Sequence, residues 1–165
     1  MSIRVVVERR ILIDAPMEDV WQNTAESFAG IDQWDANVKR SSAFGDPPPG
    51  APVGGRECQL YKGGPTVEEL VQWDSDTRVF AYDIAKGLPG FVQQARNTWT
   101  HESSGHNSTQ LTMRLELVVS GLLGRLMRAP MRSQLGKLLE RAQAELKHYV
   151  ETGTPHPRKR RRTSK

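Results

Sequence analysis

Few side chains in this sequence could do chemistry, and none shows the spacing of a known catalytic motif. The histidines His101, His106, His148 and His156 lack metal-ligand spacing such as His-Glu-x-x-His. The sequence contains no Gly-x-Ser-x-Gly elbow, no phosphate-binding loop and no dinucleotide fingerprint. Its one cysteine, Cys58, excludes both an internal disulfide and a cysteine-based metal site within the chain. We therefore expect neither a metal nor a cofactor.

Charged residues inside the predicted strands are the remaining candidates for catalysis. Glu69 shares its alternation with the apolar residues two positions away on either side, which predicts an inward-pointing carboxylate. A carboxylate in an apolar cavity has a raised pKa and can act as a general acid or base, with Tyr61 or Tyr82 as its partner. Alternatively, Arg56 pairs with Glu69 across the sheet and the two form a structural ion pair.

Large aromatic side chains on or just before the strands are the candidates for binding. Tyrosine and tryptophan combine a large apolar body with one hydrogen-bond donor, which suits a pocket for a ring-containing ligand. The alternative is that these residues only fill the interior. The predicted ligand-binding set, with one methionine of the last strand, is Trp34, Tyr61, Trp73, Tyr82, Trp99 and Met113.

Strands must position most of these residues. Residues 3–13 alternate between apolar and polar side chains, which predicts a half-buried strand. Further extended runs are separated by turn signals such as Gly-Gly-Pro at 63–65 and Ser-Ser-Gly-His-Asn at 103–107. Consecutive strands joined by short turns predict an antiparallel sheet of about seven strands with one face covered.

A long helix is the element that can cover that face. Residues 122–151 place apolar side chains at intervals of three and four, and Gly153 provides a stop signal. Pro130 predicts a kink or a short lead-in helix over residues 122–128. Residues 17–24 and 28–34 predict two short helices after the first strand. The predicted class is therefore α+β.

Composition assigns residues 1–152 to one domain and residues 153–165 to a disordered basic tail. The tail holds six basic residues and no acidic residue. The rest of the chain contains 17 Lys and Arg and 19 Asp and Glu. The net charge of +4 therefore comes from the tail. It indicates no specific nucleic-acid partner, and the tail is either idle or makes weak contacts with anions.

Hydropathy gives no sign of a membrane or of export. No run of eighteen apolar residues occurs, so we expect no transmembrane segment. The first ten residues, MSIRVVVERR, lack the apolar centre of a signal peptide. We expect a cytoplasmic protein.

Several local motifs resemble one superfamily. IDAPMEDVW at 13–21 is similar to the I-x-A-P-x-x-x-V-W opening of the SRPBCC superfamily, which includes START lipid-transfer domains and plant pollen-allergen proteins. VGGR at 53–56, TVEEL at 66–70 and WD at 73–74 resemble its polyketide cyclase/dehydrase-like branch. The resemblance spans residues 3 to 151. It implies the helix-grip fold, a curved antiparallel sheet around a long C-terminal helix, with a cavity for an apolar small molecule between them.

Two functions remain open. One is binding or carriage of a hydrophobic small molecule, whether lipid, aromatic or polyketide-like. The other is a cyclase or dehydratase that moves protons with an inward carboxylate or tyrosine. Titratable groups that meet on one wall of the cavity would favour the enzyme, and an all-apolar lining would favour the carrier.

Overall fold

The computed structural model describes residues 2–164, which form one curved sheet, one long helix and several short helices. All neighbouring strands are antiparallel, in the order β1-β7-β6-β5-β4-β3-β2. The predicted seven-stranded sheet and long helix are therefore confirmed. The strands are β1 Ser2–Ile13, β2 Val38–Phe44, β3 Gly55–Leu60, β4 Thr66–Asp74, β5 Val79–Lys86, β6 Val92–Ser103 and β7 Thr109–Ser120. The helices are α1 Met17–Trp21, a π turn Gln22–Glu26, a 3₁₀ helix Phe28–Gln33, α2 Gly121–Thr152 and α3 Pro157–Thr163.

Alternation in the long strands produces the concave core face. On β7, Leu111, Met113, Leu115 and Leu117 are buried, and the residues between them are more exposed. Because successive side chains of a strand point to opposite faces, this pattern sends every second residue toward α2. Strands β1 and β7 thus supply the floor on which the helix lies.

The short helices after β1 close one end of the sheet with aromatic residues. Trp21 packs edge-on against Phe80 of β5, with ring centroids 6.0 Å apart, and Phe28 does the same at 5.8 Å. His101 of β6 completes this cluster, 5.2 Å from the Trp21 ring. We call this region, with the part of the sheet around Leu111, the closed end.

Helix α2 is continuous through Pro130, so the separate lead-in helix that we considered does not form. It ends at Gly153, whose φ of 70° is the left-handed conformation that glycine adopts easily. Near its middle, Gly136 lies against the guanidinium of Arg9 on β1, where a β-carbon would overlap the arginine. A larger residue at position 136 would therefore displace the Arg9 side chain at this crossing of helix and sheet.

The basic tail differs from the disordered segment that we predicted for residues 153–165. Residues 157–163 form helix α3, and Lys159 is buried. Lys159 Nζ donates to the carbonyl oxygen of Val38 at 2.5 Å, and Arg158 Nη1 contacts Glu145 Oε1 at the same distance. We predicted disorder because residues 153–165 lack apolar side chains that could pack on the domain. Here cationic groups pair with a buried carboxylate and with a carbonyl group at the start of β2.

Candidate functional site

A cavity of about 230 Å³ lies between the concave face of the sheet and α2. Most of its lining is apolar and comes from the 3₁₀ helix, from strands β3 to β7 and from the middle of α2. The apolar residues include Ile31, Trp34, Val38, Leu60, Ile84, Trp99, Met113, Leu115, Leu139 and Ala142. The polar residues include Asp35, Arg56, Glu68, Tyr82 and Asn97.

An ion pair forms part of the polar wall. Arg56 on β3 and Glu68 on β4 are cross-strand partners, and Arg56 Nε lies 2.5 Å from Glu68 Oε2. Arg56 Nη1 donates to the carbonyl oxygen of Phe28, and its guanidinium stacks 4.0 Å from the centre of the Phe28 ring. The paired carboxylate raises the pKa of Arg56, although burial opposes it. Arg56 is therefore a fixed cation, largely neutralised by Glu68.

Tyr82 and Asn97 extend this wall onto the next two strands. They are cross-strand partners on β5 and β6, and Asn97 Nδ2 donates to the Tyr82 hydroxyl at 3.0 Å. Burial, reinforced by nearby Glu68, raises the pKa of Tyr82 far above its ordinary value. The hydroxyl therefore keeps its proton at neutral pH and can donate it in a hydrogen bond.

Three buried polar atoms of cavity-lining residues have no hydrogen-bond partner within residues 2–164. They are Arg56 Nη2 and Trp99 Nε1, which are donors, and Asn97 Oδ1, which is an acceptor. A buried polar atom without a partner costs about 1–3 kcal/mol, so such atoms rarely collect in a packed core by chance. All three belong to residues that line the same cavity, and the side chains of Arg56, Tyr82 and Asn97 contact one another there, so the cavity has one polar end.

Asp35 adds a carboxyl group to the same cavity. Burial raises its pKa above the ordinary range, although the backbone amide of Asn37 donates to Asp35 Oδ1 at 2.7 Å and opposes the shift. A carboxyl group with a raised pKa is more easily protonated near neutrality, which is the property that a general acid needs.

A second cavity of about 310 Å³ adjoins the first, toward the N-terminal half of α2. The two share the lining residues Ile84, Leu115 and Leu138, which therefore form the partition between them. The lining of the second is almost entirely apolar, with Met127 and Met131 of α2 facing Phe91 at the start of β6. Together the cavities form an elongated apolar space with one polar end.

Other chemistry receives no support from the part of the chain that the structure describes. Residues 2–164 contain no group of three or more histidine, cysteine, aspartate or glutamate side chains placed to hold a metal ion. Nor does any helix in this range have the length and apolar character needed to span a bilayer.

Comparison with known proteins identifies the family. The family described as polyketide cyclase / dehydrase and lipid transport matches residues 4–151. The chain belongs to this family. The resemblance to the SRPBCC superfamily is thereby confirmed. None of the curated proteins shows a significant sequence match.

Solved structures share the fold of this family member. A point mutant of norcoclaurine synthase from Thalictrum flavum, in complex with a transition state analogue, superposes with a TM-score of 0.73 at 16% identity, covering 92% of this chain and 96% of that one. A protein from Thermus thermophilus gives 0.71 at 16% identity, covering 90% and 98%. Identities this low establish the helix-grip fold alone.

Four of the six residues predicted to bind a ligand line the first cavity: Trp34, Tyr82, Trp99 and Met113. Their contact with a ligand stays a prediction. Trp73 packs instead against Trp21 at the closed end, with ring centroids 5.1 Å apart. Tyr61 follows the end of β3 and lies beneath the cationic groups of Lys159 and Arg162, 5.5 and 5.6 Å from its ring centre. Neither residue is part of the cavity lining.

The inward orientation predicted for Glu69 is wrong, because Glu69 is exposed and its neighbour Glu68 lines the cavity. Strict alternation from Val67 to Trp73 fails since β4 shifts register against β5 twice, between Val67 and Glu68 and between Leu70 and Gln72. A register irregularity of this kind changes which side chains face inward. The alternative, an ion pair of Arg56 with Glu69, is also wrong, because Arg56 pairs with Glu68.

Sequence reasoning missed Asp35, Glu68 and Asn97. The predicted tight turn at residues 63–65 does not place Glu68 opposite Arg56. In the structure β3 ends at Leu60, so the connection to β4 is longer than that turn, and Glu68 is the cross-strand partner of Arg56. Nothing in its sequence neighbourhood distinguishes Asn97 from an exposed strand residue. The burial of Asp35 is visible only in the folded chain.

Proposed function

We propose that this protein binds and carries a hydrophobic small molecule that has a polar, oxygen-bearing end. The observation that supports this most strongly is the apolar cavity, three of whose lining residues carry a buried polar atom without a hydrogen-bond partner. A ligand oxygen near Arg56 Nη2 and Trp99 Nε1 would supply the missing acceptors. The apolar remainder would extend toward the second cavity and gain about 25 cal/mol for each Å² of surface removed from water.

The charge balance of the wall favours an uncharged polar end. Glu68 already neutralises Arg56, so a ligand carboxylate would bring an anion into the cavity without a free cation to pair with it. A carbonyl or phenolic oxygen avoids that cost and still accepts from Arg56 and Trp99. A phenol can in addition donate to Asn97 Oδ1.

Matched ligands test this proposal. We expect 2-naphthol to quench tryptophan fluorescence with a Kd of roughly 1 μM, about −8 kcal/mol. Naphthalene lacks the oxygen and 2-naphthoate carries a charge, so each should bind about ten-fold more weakly. Equal affinity for naphthol and naphthalene would contradict the polar end, and absence of binding by all three would contradict the cavity as a site for aromatic ligands.

A matched pair of variants locates the contact. Trp99→Phe keeps a ring but removes the unpartnered N–H, and should lower affinity for 2-naphthol more than for naphthalene. Trp73→Phe removes a tryptophan that packs on Trp21 away from the cavity, and should leave both affinities unchanged. Since each variant also loses a fluorophore, calorimetry is the suitable readout for this pair.

The convergence of titratable groups favours a second candidate, a cyclase or dehydratase. Asp35, Glu68 and Tyr82 line the same cavity, and this arrangement meets the condition that we set for an enzyme. Asp35, with its raised pKa, is the candidate general acid, and the Tyr82 hydroxyl is a candidate donor to a substrate carbonyl. Glu68 is committed to Arg56 and is the weaker candidate for a base.

Turnover separates the two functions. A poly-β-carbonyl substrate analogue incubated with the protein should be recovered unchanged if the protein is a carrier. If it is an enzyme, cyclised or dehydrated product should form, and Asp35→Asn and Tyr82→Phe should each abolish product while binding persists. We retain carriage as the main proposal because the polar side chains are mostly engaged with one another.

A cytoplasmic location and weak anionic contacts of the tail remain part of the proposal. Arg160 and Arg161 of α3 are exposed and available for such contacts. Arg158 and Lys159 are engaged with the fold and are not. Any attraction to nucleic acid should therefore be weak and salt-sensitive.

A further inference from the structure

The N-terminal half of α2 exposes large apolar side chains. Leu122, Leu123 and Leu126 have 73%, 54% and 69% of their surface accessible, whereas the leucines of β7 are buried. Three such residues within five positions form a contiguous apolar surface. Isolated exposed leucines are common in proteins, but a cluster on one helix end indicates an interaction surface.

Positive charge surrounds this apolar surface. Arg125, Arg128, Arg132 and Lys137 lie along the same part of α2, and no acidic residue occurs between Glu116 and Glu140. The turn from β5 to β6, residues 86–91, adds Lys86 and likewise contains no acid. Residues 86–91 and 121–132 therefore contain four cations and no carboxylate.

The two segments meet at the second cavity. Leu88 and Phe91 of the turn line it on one side, and Met127 and Met131 of α2 line it on the other. The amide of Ser120, just before α2, donates to the carbonyl oxygen of Phe91 at 2.9 Å and fixes the two segments together. We call residues 86–91 and 121–132 the basic apolar rim.

We propose that the basic apolar rim docks on the surface of an anionic lipid bilayer. Its leucines would enter the boundary between headgroups and acyl chains, and its arginines would remain among the phosphates. Basic residues near such a surface add electrostatic attraction to the apolar insertion, so the rim combines two signals where either alone gives marginal binding.

Charge selects this occupant over a second copy of the chain. Two rims brought together would oppose cations with cations, which is unfavourable without intervening anions. An anionic bilayer supplies both the negative charge and the apolar medium. Docking here would also place the second cavity beside the bilayer. A role of that placement in ligand transfer rests on the proposed carriage, whereas docking itself does not.

Vesicle flotation tests the proposal. The full chain should bind vesicles of phosphatidylcholine with about 30% phosphatidylserine and should bind pure phosphatidylcholine vesicles at least ten-fold more weakly. Leu122→Ser/Leu126→Ser should reduce binding about ten-fold, and Arg125→Gln/Arg128→Gln about 10–30-fold. Raising the salt concentration should weaken binding further.

A charge-matched control excludes the tail as the source of binding. Arg160→Gln/Arg161→Gln removes two exposed cations from α3 and should leave vesicle binding within about two-fold of the wild type. Unchanged melting temperatures would show that the rim variants fold. Loss of binding in the tail variant alone, or no binding of the wild type to phosphatidylserine vesicles, would overturn the proposal. Ala142→Phe fills the ligand cavity and should still bind vesicles, so failure of carriage and failure of docking are distinguishable.

Discussion

The two halves of helix α2 have the same backbone conformation and opposite surroundings. In the C-terminal half, Leu146 is fully buried, and Gln143 Nε2 donates to the carbonyl oxygen of Arg9 at 2.9 Å. Glu145 accepts from the backbone amide of Ala36 at 2.9 Å and is 1% exposed. This half is fixed to the closed end by both apolar and polar contacts.

The N-terminal half lies over a cavity on one side and exposes leucines on the other. Met127 and Met131 line the second cavity, and Leu126 is exposed. The difference shows that one helix can serve two purposes. Its C-terminal half packs against the fold, and its N-terminal half is the part to which we assign binding in our proposals.

The largest expected effect is on stability, and it should separate the halves. Leu146→Ala removes a fully buried side chain and should lower the free energy of unfolding by about 2–5 kcal/mol. Leu126→Ala makes the same chemical change at an exposed site and should cost less than about 0.5 kcal/mol. Urea titration measures both free energies of unfolding. Similar losses in the two variants would contradict the difference between the two halves of the helix.

Acid should loosen the closed end. Burial lowers the pKa of His101 from 6.5 to about 4, and neutral His101 donates from Nδ1 to the carbonyl oxygen of Arg78 and accepts from Thr24 Oγ1. Because the unfolded chain takes up the proton first, this contribution to stability is present above about pH 6.5 and is lost as the pH falls toward 4. The loss should be about 3 kcal/mol.

The matched variant for this prediction is His101→Gln. It should be less stable than the wild type at pH 7, and its stability should fall less steeply between about pH 6.5 and 4. Parallel pH profiles for the two proteins would show that His101 is not the group responsible.

A smaller effect is expected where the tail meets the fixed half of α2. Arg158→Ala leaves the buried Glu145 carboxylate without its guanidinium partner and should cost about 1–3 kcal/mol. Arg160→Ala removes an exposed cation of the same helix and should be neutral within about 0.5 kcal/mol. Thermal unfolding of the pair tests whether the tail is structural, and equal melting temperatures would return it to the idle segment expected from composition.

Most of the fold could be predicted from the sequence, because alternation and helical periodicity are local properties. Strand β7 and helix α2 were evident from the spacing of their apolar residues alone. The site was harder, since the choice between Glu68 and Glu69 depends on register shifts in β4 that involve a neighbouring strand. Apolar residues recur at helical spacing in both halves of α2, so this spacing alone does not show which half the sheet covers.

Occupancy of the cavity is the central claim, and one pair of isotherms tests it most directly. Ala142 lines the cavity and Ala144, two residues further along α2, is exposed. Ala142→Phe should therefore fill the space and reduce calorimetric binding of 2-naphthol at least ten-fold, whereas Ala144→Phe should bind as the wild type does. Equal affinities in the two variants, with both proteins folded, would contradict the account and place the ligand elsewhere on the molecule.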